Sequence, residues 1–321
     1  MHHKTAVKLG VVIALVGAML TPATTAYGQQ ISQHVRKLGY THQYEFAWRD
    51  YKNQIQQIKF NFNRDDVQQA LAEFRPFSDD EANNYIYNVL KSQSVKPRRD
   101  GIRIDVANTG NGISLTAMGH VRHESDLERG LDDMRSLMQQ SREEYVHQSL
   151  FRFVDDNVIM PDHKRITQMY VNRMRPLALA IAREAGYDKR RVLNYALGFM
   201  QTIPYDELLR RDTSNGAGFA TPIEIFERNR GDCDSKSVAL LSMMRALYPN
   251  MRMMMVYIPQ HTFVAFEVPY DTQDVALRIG NRNFVLAEPV GPRILPLGQV
   301  DDKSLAALQS GDFTYEEIPL R

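Results

Sequence analysis

Between residues 160 and 290 the apolar positions change period once, and the chain's single cysteine, Cys233, stands just before the change. Up to residue 247 they repeat at helical spacing; beyond it they alternate. The spacing predicts helices over 166–185, ending at Gly186, over 189–201, stopped by Pro204, over 222–228, and over 235–247. Strands are expected over 252–258, 262–268 and 283–288. Helices that come first and strands that follow point to an α+β fold with an antiparallel sheet, not to alternating βαβ units.

The preceding segment also reads as α+β. Tyr44, Phe46 and Trp48 alternate like a strand, and 64–74 and 78–90 read as helices, the second with Ser78 as its cap. Residues 101–121 read as a β-hairpin around Asn108-Thr109-Gly110-Asn111-Gly112, and a long helix opens at Ser125. His120, His123 and Glu124 lack the one-turn spacing of helical zinc ligands, and the pairs Asp65-Asp66, Asp79-Asp80 and Asp132-Asp133 suit helix starts or solvated faces. We therefore expect no metal site in this half. The expected division is an accessory α+β domain over 29–155, a second domain over 156–300 and a tail over 301–321.

Residues 1–28 read as a signal peptide. Lys4 and Lys8 precede the apolar stretch Leu9–Leu20, and small residues follow as far as Ala26-Tyr27-Gly28. Cleavage is expected after Gly28, with Ala26-Tyr27 as the alternative. The apolar stretch is short for a membrane span, so no integral span is expected after cleavage. The expected location is periplasmic or secreted. There, structural cysteines usually come in pairs, so a lone cysteine is a buried small residue, an intermolecular bridge or a reactive thiol. With 39 basic and 38 acidic side chains, charge suggests no nucleic-acid partner.

Cys233 follows Gly231-Asp232 and opens a helix. Unpaired N–H groups and the partial positive charge of a helix N-terminus stabilise a thiolate, and the same N–H groups can hold an oxyanion. His261 begins a strand and could take the thiol proton. Glu288 ends the next strong strand, and antiparallel pairing can bring it beside His261 to orient the ring.

The stretches 198–205 (GFMQTIPY), 221–226 (TPIEIF) and 230–237 (RGDCDSKS) resemble the core of the transglutaminase-like superfamily, most closely the exported bacterial transglutaminase-like cysteine proteases. The likeness covers roughly residues 190–295. It implies a papain-like core, in which a nucleophile helix packs on an antiparallel sheet. It further implies a thiol hydrolase that cleaves peptide or isopeptide bonds of protein substrates in the cell envelope through a thioester. Cys233 attacks, His261 shuttles the proton and Glu288 orients it; the family more often has Asp at the third place, and Asp271 and Asp274 are alternatives. A polar N–H upstream assists the oxyanion in this superfamily, for which Gln201 is the local candidate and Tyr205 the second.

Two further readings share these residues. One is an acyltransferase or deamidase; the other is an inert binding or scaffolding module. Asp232 and Asp234 flank the thiol and oppose its ionisation, so they must point away, capping the helix, or be neutralised. Some bacterial relatives place calcium beside such acids. Here Ser237 stands where a further acid is expected, so the preferred reading has no cofactor, with calcium as the one candidate.

Overall fold

The computed structural model describes residues 30–96, 101–109, 112–120, 123–155, 158–212 and 214–320. The signal-peptide segment thus lies outside the described residues, as do residues 110–111 of the hairpin turn. In chain order the elements are β1 (Gln30–Leu38), β2 (Thr41–Arg49), β3 (Ile55–Asn63), α1 (Arg64–Glu73), α2 (Asp79–Ser94), β4 (Arg103–Asn108), β5 (Ile113–Met118) and α3 (Glu124–Gln148). There follow β6 (Phe151–Phe153), β7 (Ile159–Pro161), α4 (His163–Ala185), α5 (Lys189–Thr202), α6 (Pro222–Arg228), α7 (Cys233–Leu247) and β8 (Met253–Ile258). Last come β9 (His261–Phe266), β10 (Ala276–Ile279), β11 (Arg282–Ala287), α8 (Asp302–Ser310) and β12 (Thr314–Glu317). The fold is mixed α+β, with antiparallel pairing within each sheet.

The chain divides into two compact units, residues 75–162 and the remainder. In the smaller unit the β4–β5 hairpin lays Ile104 and Val106 against Ile86 and Leu90 of α2 and Met134 of α3. Ser78 caps α2 by accepting from the Glu81 N–H, as its sequence position suggested.

The larger unit contains both the first strands and everything after residue 162, so the expected boundary near 155 is not where the chain divides. The reason is aromatic packing. The order β1-β2-β3 forms a three-stranded sheet whose inward side chains include Tyr44, Phe46, Trp48, Phe60 and Phe62. Phe46 meets Phe199 of α5 at 5.0 Å between ring centroids, and Phe60 meets Phe226 of α6 at 5.8 Å. These rings are buried against α5 and α6, so the strands belong with the helices that follow 162. The expected tail over 301–321 is likewise structured: Leu308 of α8 joins the core of the second sheet, and β12 pairs with β8.

That second sheet has the order β10-β11-β9-β8-β12. One face buries Met254, Val256, Phe263, Ala265, Phe284 and Leu286 with Leu308. Alternation sends Met253, Met255 and Val264 to the opposite face, where they are also fully buried, and α7 packs against β9. Helix α7 is buried along most of its length, its polar Ser235, Lys236, Ser237, Ser242 and Arg245 included. Its one arginine, Arg245, donates to the carbonyls of Pro249, Met251 and Ile318.

Candidate active site

Helix α7 starts where three local features coincide. Asn229, at φ 50, ends α6 in the left-handed conformation. Gly231 then forms a parallel bridge with Tyr205, and a side chain there would crowd Ile225 and Lys236. Asp232 caps α7 by accepting from the Ser235 N–H at 2.9 Å. The turn thus rests on Asn229, and the glycine serves close packing.

Cys233 occupies the first helical position and is half-buried. Its sulfur donates weakly to Asp234 Oδ1 at 3.6 Å, and the main chain of Thr262, next to His261, lies close enough to favour the ionised thiol. Thiol and imidazole thus belong to the same end of β9. Among the described contacts, no hydrogen bond joins the sulfur to His261.

His261 Nε2 lies 2.6 Å from Glu288 Oε1. The sheet register explains the meeting: Ala287 pairs with Val264, so the next residue falls opposite Phe263, diagonal to His261 on the same face. Glu288 is 4 % exposed and is held further by the Asp301 N–H on Oε2 at 2.6 Å and the Ser304 hydroxyl on Oε1 at 3.0 Å. With Nε2 engaged, Nδ1 is the ring nitrogen left to face a thiol. A cleft of about 530 Å³ opens beside this pair, lined by Ile258, Val290, Pro292, Arg293 and Lys303 among others; Cys233 does not line it.

Asp271 and Asp274 lie in the connection after β9, at the strand's other end from His261. Six residues of strand separate the ends by about 17 Å. Asp274 is committed to Arg190, with one contact at 3.0 Å, and also accepts the Asp271 N–H. Neither aspartate orients the histidine.

Gln201 also differs from expectation. Its amide donates to the carbonyls of Glu288 at 2.8 Å and Leu295 at 3.0 Å, and its oxygen accepts from the Leu295 N–H. Both N–H bonds are spent on holding the loop after β11, so none remains for an oxyanion. Tyr205 is half-exposed and close enough for the Cys233 and Asp232 charges to raise its pKa, though burial is the larger cause.

The electrostatics of the thiol are unfavourable in this arrangement. Burial, then Asp234, then Asp232 push the Cys233 thiol up to about 12, and the Thr262 main chain offsets this only in part. Burial and Asp234 push Asp232 up to about 7. Burial likewise pushes Lys236 down to about 7, against the attraction of Asp232; its ammonium donates to the Ile203 carbonyl at 2.5 Å. Asp234 behaves differently. Burial would raise it, yet a hydrogen bond and charge from His163, with Thr262 and Cys233, hold it below the ordinary carboxylate range.

His163 escaped the sequence reading. It is fully buried at the start of α4, with Nε2 3.4 Å from Asp234 Oδ2 and Nδ1 3.0 Å from the Tyr257 hydroxyl. It stands 70 residues before the cysteine, in no motif, so only the packing of α4 on α7 brings it to the site. Asp234 therefore neither points outward nor caps the helix. Among the described residues no group of three or more His, Cys, Asp or Glu side chains could hold a metal ion, and no helix is long and apolar enough to cross a membrane. Compared with known proteins, the chain matches no family model, no curated protein and no solved structure.

Proposed function

We propose that this chain is a transglutaminase-like thiol hydrolase, acting on peptide or isopeptide bonds of proteins outside the cytoplasm. The observation that carries the reading is the buried Glu288 on His261 Nε2, at the start of the strand on which the Cys233 helix packs. In this reading Cys233 gives its proton to His261 Nδ1 and attacks the acyl carbon. His261 then passes the proton to the leaving amine, and water attacks the thioester. The oxyanion is held by the Cys233 N–H at the head of α7, with Tyr205 as its side-chain neighbour. The papain-like comparison of helix and sheet, the exported location and the choice of water over an amine acceptor belong to the same proposal.

The test is incubation of the protein with cell-envelope proteins and a labelled amine, followed by mass spectrometry. Cleavage without amine incorporation supports hydrolysis; incorporation or a one-dalton deamidation supports the acyltransferase. Loss of neither product in Cys233→Ser overturns both. One observation favours an inert binding module instead: the thiol is pushed up to about 12 and has no hydrogen bond to His261. That reading predicts that Cys233 reacts with iodoacetamide only when the protein unfolds.

A further inference from the structure

Among the described contacts, the His261 ring has one side-chain hydrogen bond, to Glu288 Oε1 at 2.6 Å. Where the ring points therefore depends on where that carboxylate is held. Two further donors hold it, and both come from the head of α8. Asp301 caps that helix, its side chain accepting from the Lys303 N–H at 3.1 Å. Ser304 stands three residues on. In a capping box the side chain at that place reaches back to the N–H of the cap residue. Here Glu288, just past the end of β11, takes both partners instead. Its Oε2 accepts from the Asp301 N–H at 2.6 Å, and its Oε1 accepts from the Ser304 hydroxyl at 3.0 Å. A donor on each oxygen fixes the plane of the carboxylate as well as its position. Ser304 is buried, and Leu308, one turn further on, is anchored in the core of the second sheet, so the head of α8 has little freedom of its own.

We propose that Ser304 and the Asp301 N–H form a clamp that positions Glu288, and through it the His261 ring, for the reaction at Cys233. The inference rests on the proposed function and deepens it: the segment expected as a tail completes the site. Both are positioning groups, acting through Glu288 and not on the reacting atoms. Freed on one oxygen, the carboxylate turns about its last bond and the ring follows, so Nδ1 is no longer held for the thiol. Ser304 shares Oε1 with the ring. If the strength of the Glu288–His261 contact alone mattered, losing that competing donor would tighten the contact and leave the rate unchanged or faster. Positioning predicts the opposite sign.

The test is steady-state kinetics on a cleaved substrate, with Ser304→Ala and with Asp301→Pro measured against Asp301→Ala. Asp301 has φ −63, which proline adopts without strain, so the Pro variant differs from the Ala variant by the loss of the N–H. Ser304→Ala should lower kcat on the order of tenfold with KM little changed, and Asp301→Pro should fall below Asp301→Ala by a similar factor. In a Glu288→Ala background Ser304→Ala should add no further loss, because the group it holds is gone. A merely structural serine would give the same loss in both backgrounds. That result, or a kcat in Ser304→Ala equal to or above that of the wild type, overturns the proposal. Ring-nitrogen NMR of His261 in the folded, substrate-free chain at alkaline pH tests the clamp apart from turnover. The wild type should show the Nε2–H form alone, and Ser304→Ala a mixture with the Nδ1–H form; identical spectra disprove the clamp. Persistence of turnover in Cys233→Ser would instead sink the proposed function while leaving these spectra to decide the role of Ser304.

Discussion

Glu288 reaches three donors with two oxygens, and that saturation is what makes it a fixed acceptor for His261. Its replacement by Gln keeps the shape but cannot balance an imidazolium. Activity should fall, but by less than in His261→Ala, when initial rates are compared on any cleaved substrate. Cys233→Ser and His261→Ala should each cost several orders of magnitude, and the double variant little more than either. Additive losses would show that the two do not act as a unit. Gly291 makes a separate prediction: a Cβ there would stand 2.3 Å from the Gln201 carbonyl oxygen, which no side chain tolerates. Gly291→Ala should lower stability by about 1–3 kcal/mol in urea unfolding. It should also loosen the loop that Gln201 clamps. At this scale the sequence pointed to Cys233, His261 and Glu288 as candidates, because a helix start and two strand ends are local signals, and the structure joins the last two. The sequence could not reveal His163 or the use made of Gln201, since both depend on which carbonyl or carboxylate the fold delivers to them.

The elements that carry the site were legible in their kind and nearly in their limits. Helix α7 begins two residues before the apolar run suggested, since Asp232 caps it and draws Cys233 into the first turn. Asp232→Asn should keep the cap, since Asn serves there as well as Asp, and should speed alkylation of Cys233 by removing a charge that opposes the thiolate. A variant that slows alkylation instead would contradict the electrostatic account. Helix α6 offers a pH test. Burial pushes Glu224 up to about 7, against the pull of Arg228 at 2.8 Å. Because the folded carboxyl holds its proton more tightly than the unfolded one, its contribution is present below pH 4.5 and lost as pH rises through 7, on the order of 3 kcal/mol. In Glu224→Gln that part of the decline between pH 5 and 8 should disappear from denaturant-melting curves; an unchanged slope assigns it to other groups. Strands β1, β3, β6, β7, β10 and β12 and helix α8 were not expected from the sequence. β3 alternates Ile58, Phe60 and Phe62 inward with polar residues between them, the pattern of a half-buried strand.

Over the whole chain, periodicity identified an α+β protein but misplaced its division, because alternation shows that a strand has a buried face and not whose core that face completes. Phe46, Trp48 and Phe60 answer the question by closing on α5 and α6. Phe46→Ala should accordingly destabilise the unit that contains Cys233 by about 3–5 kcal/mol, seen as faster alkylation at sub-denaturing urea concentrations. Equal alkylation in the two proteins would restore the accessory-domain reading. The catalytic claim itself is tested most directly by intact-mass measurement of Cys233 carbamidomethylation at pH 7.5 in the folded protein, in parallel with His261→Ala. The account predicts modification of the native wild type at a rate at least tenfold above that of His261→Ala, because the imidazole takes the thiol proton. Equal rates in the two proteins, or labelling only after unfolding, would contradict it.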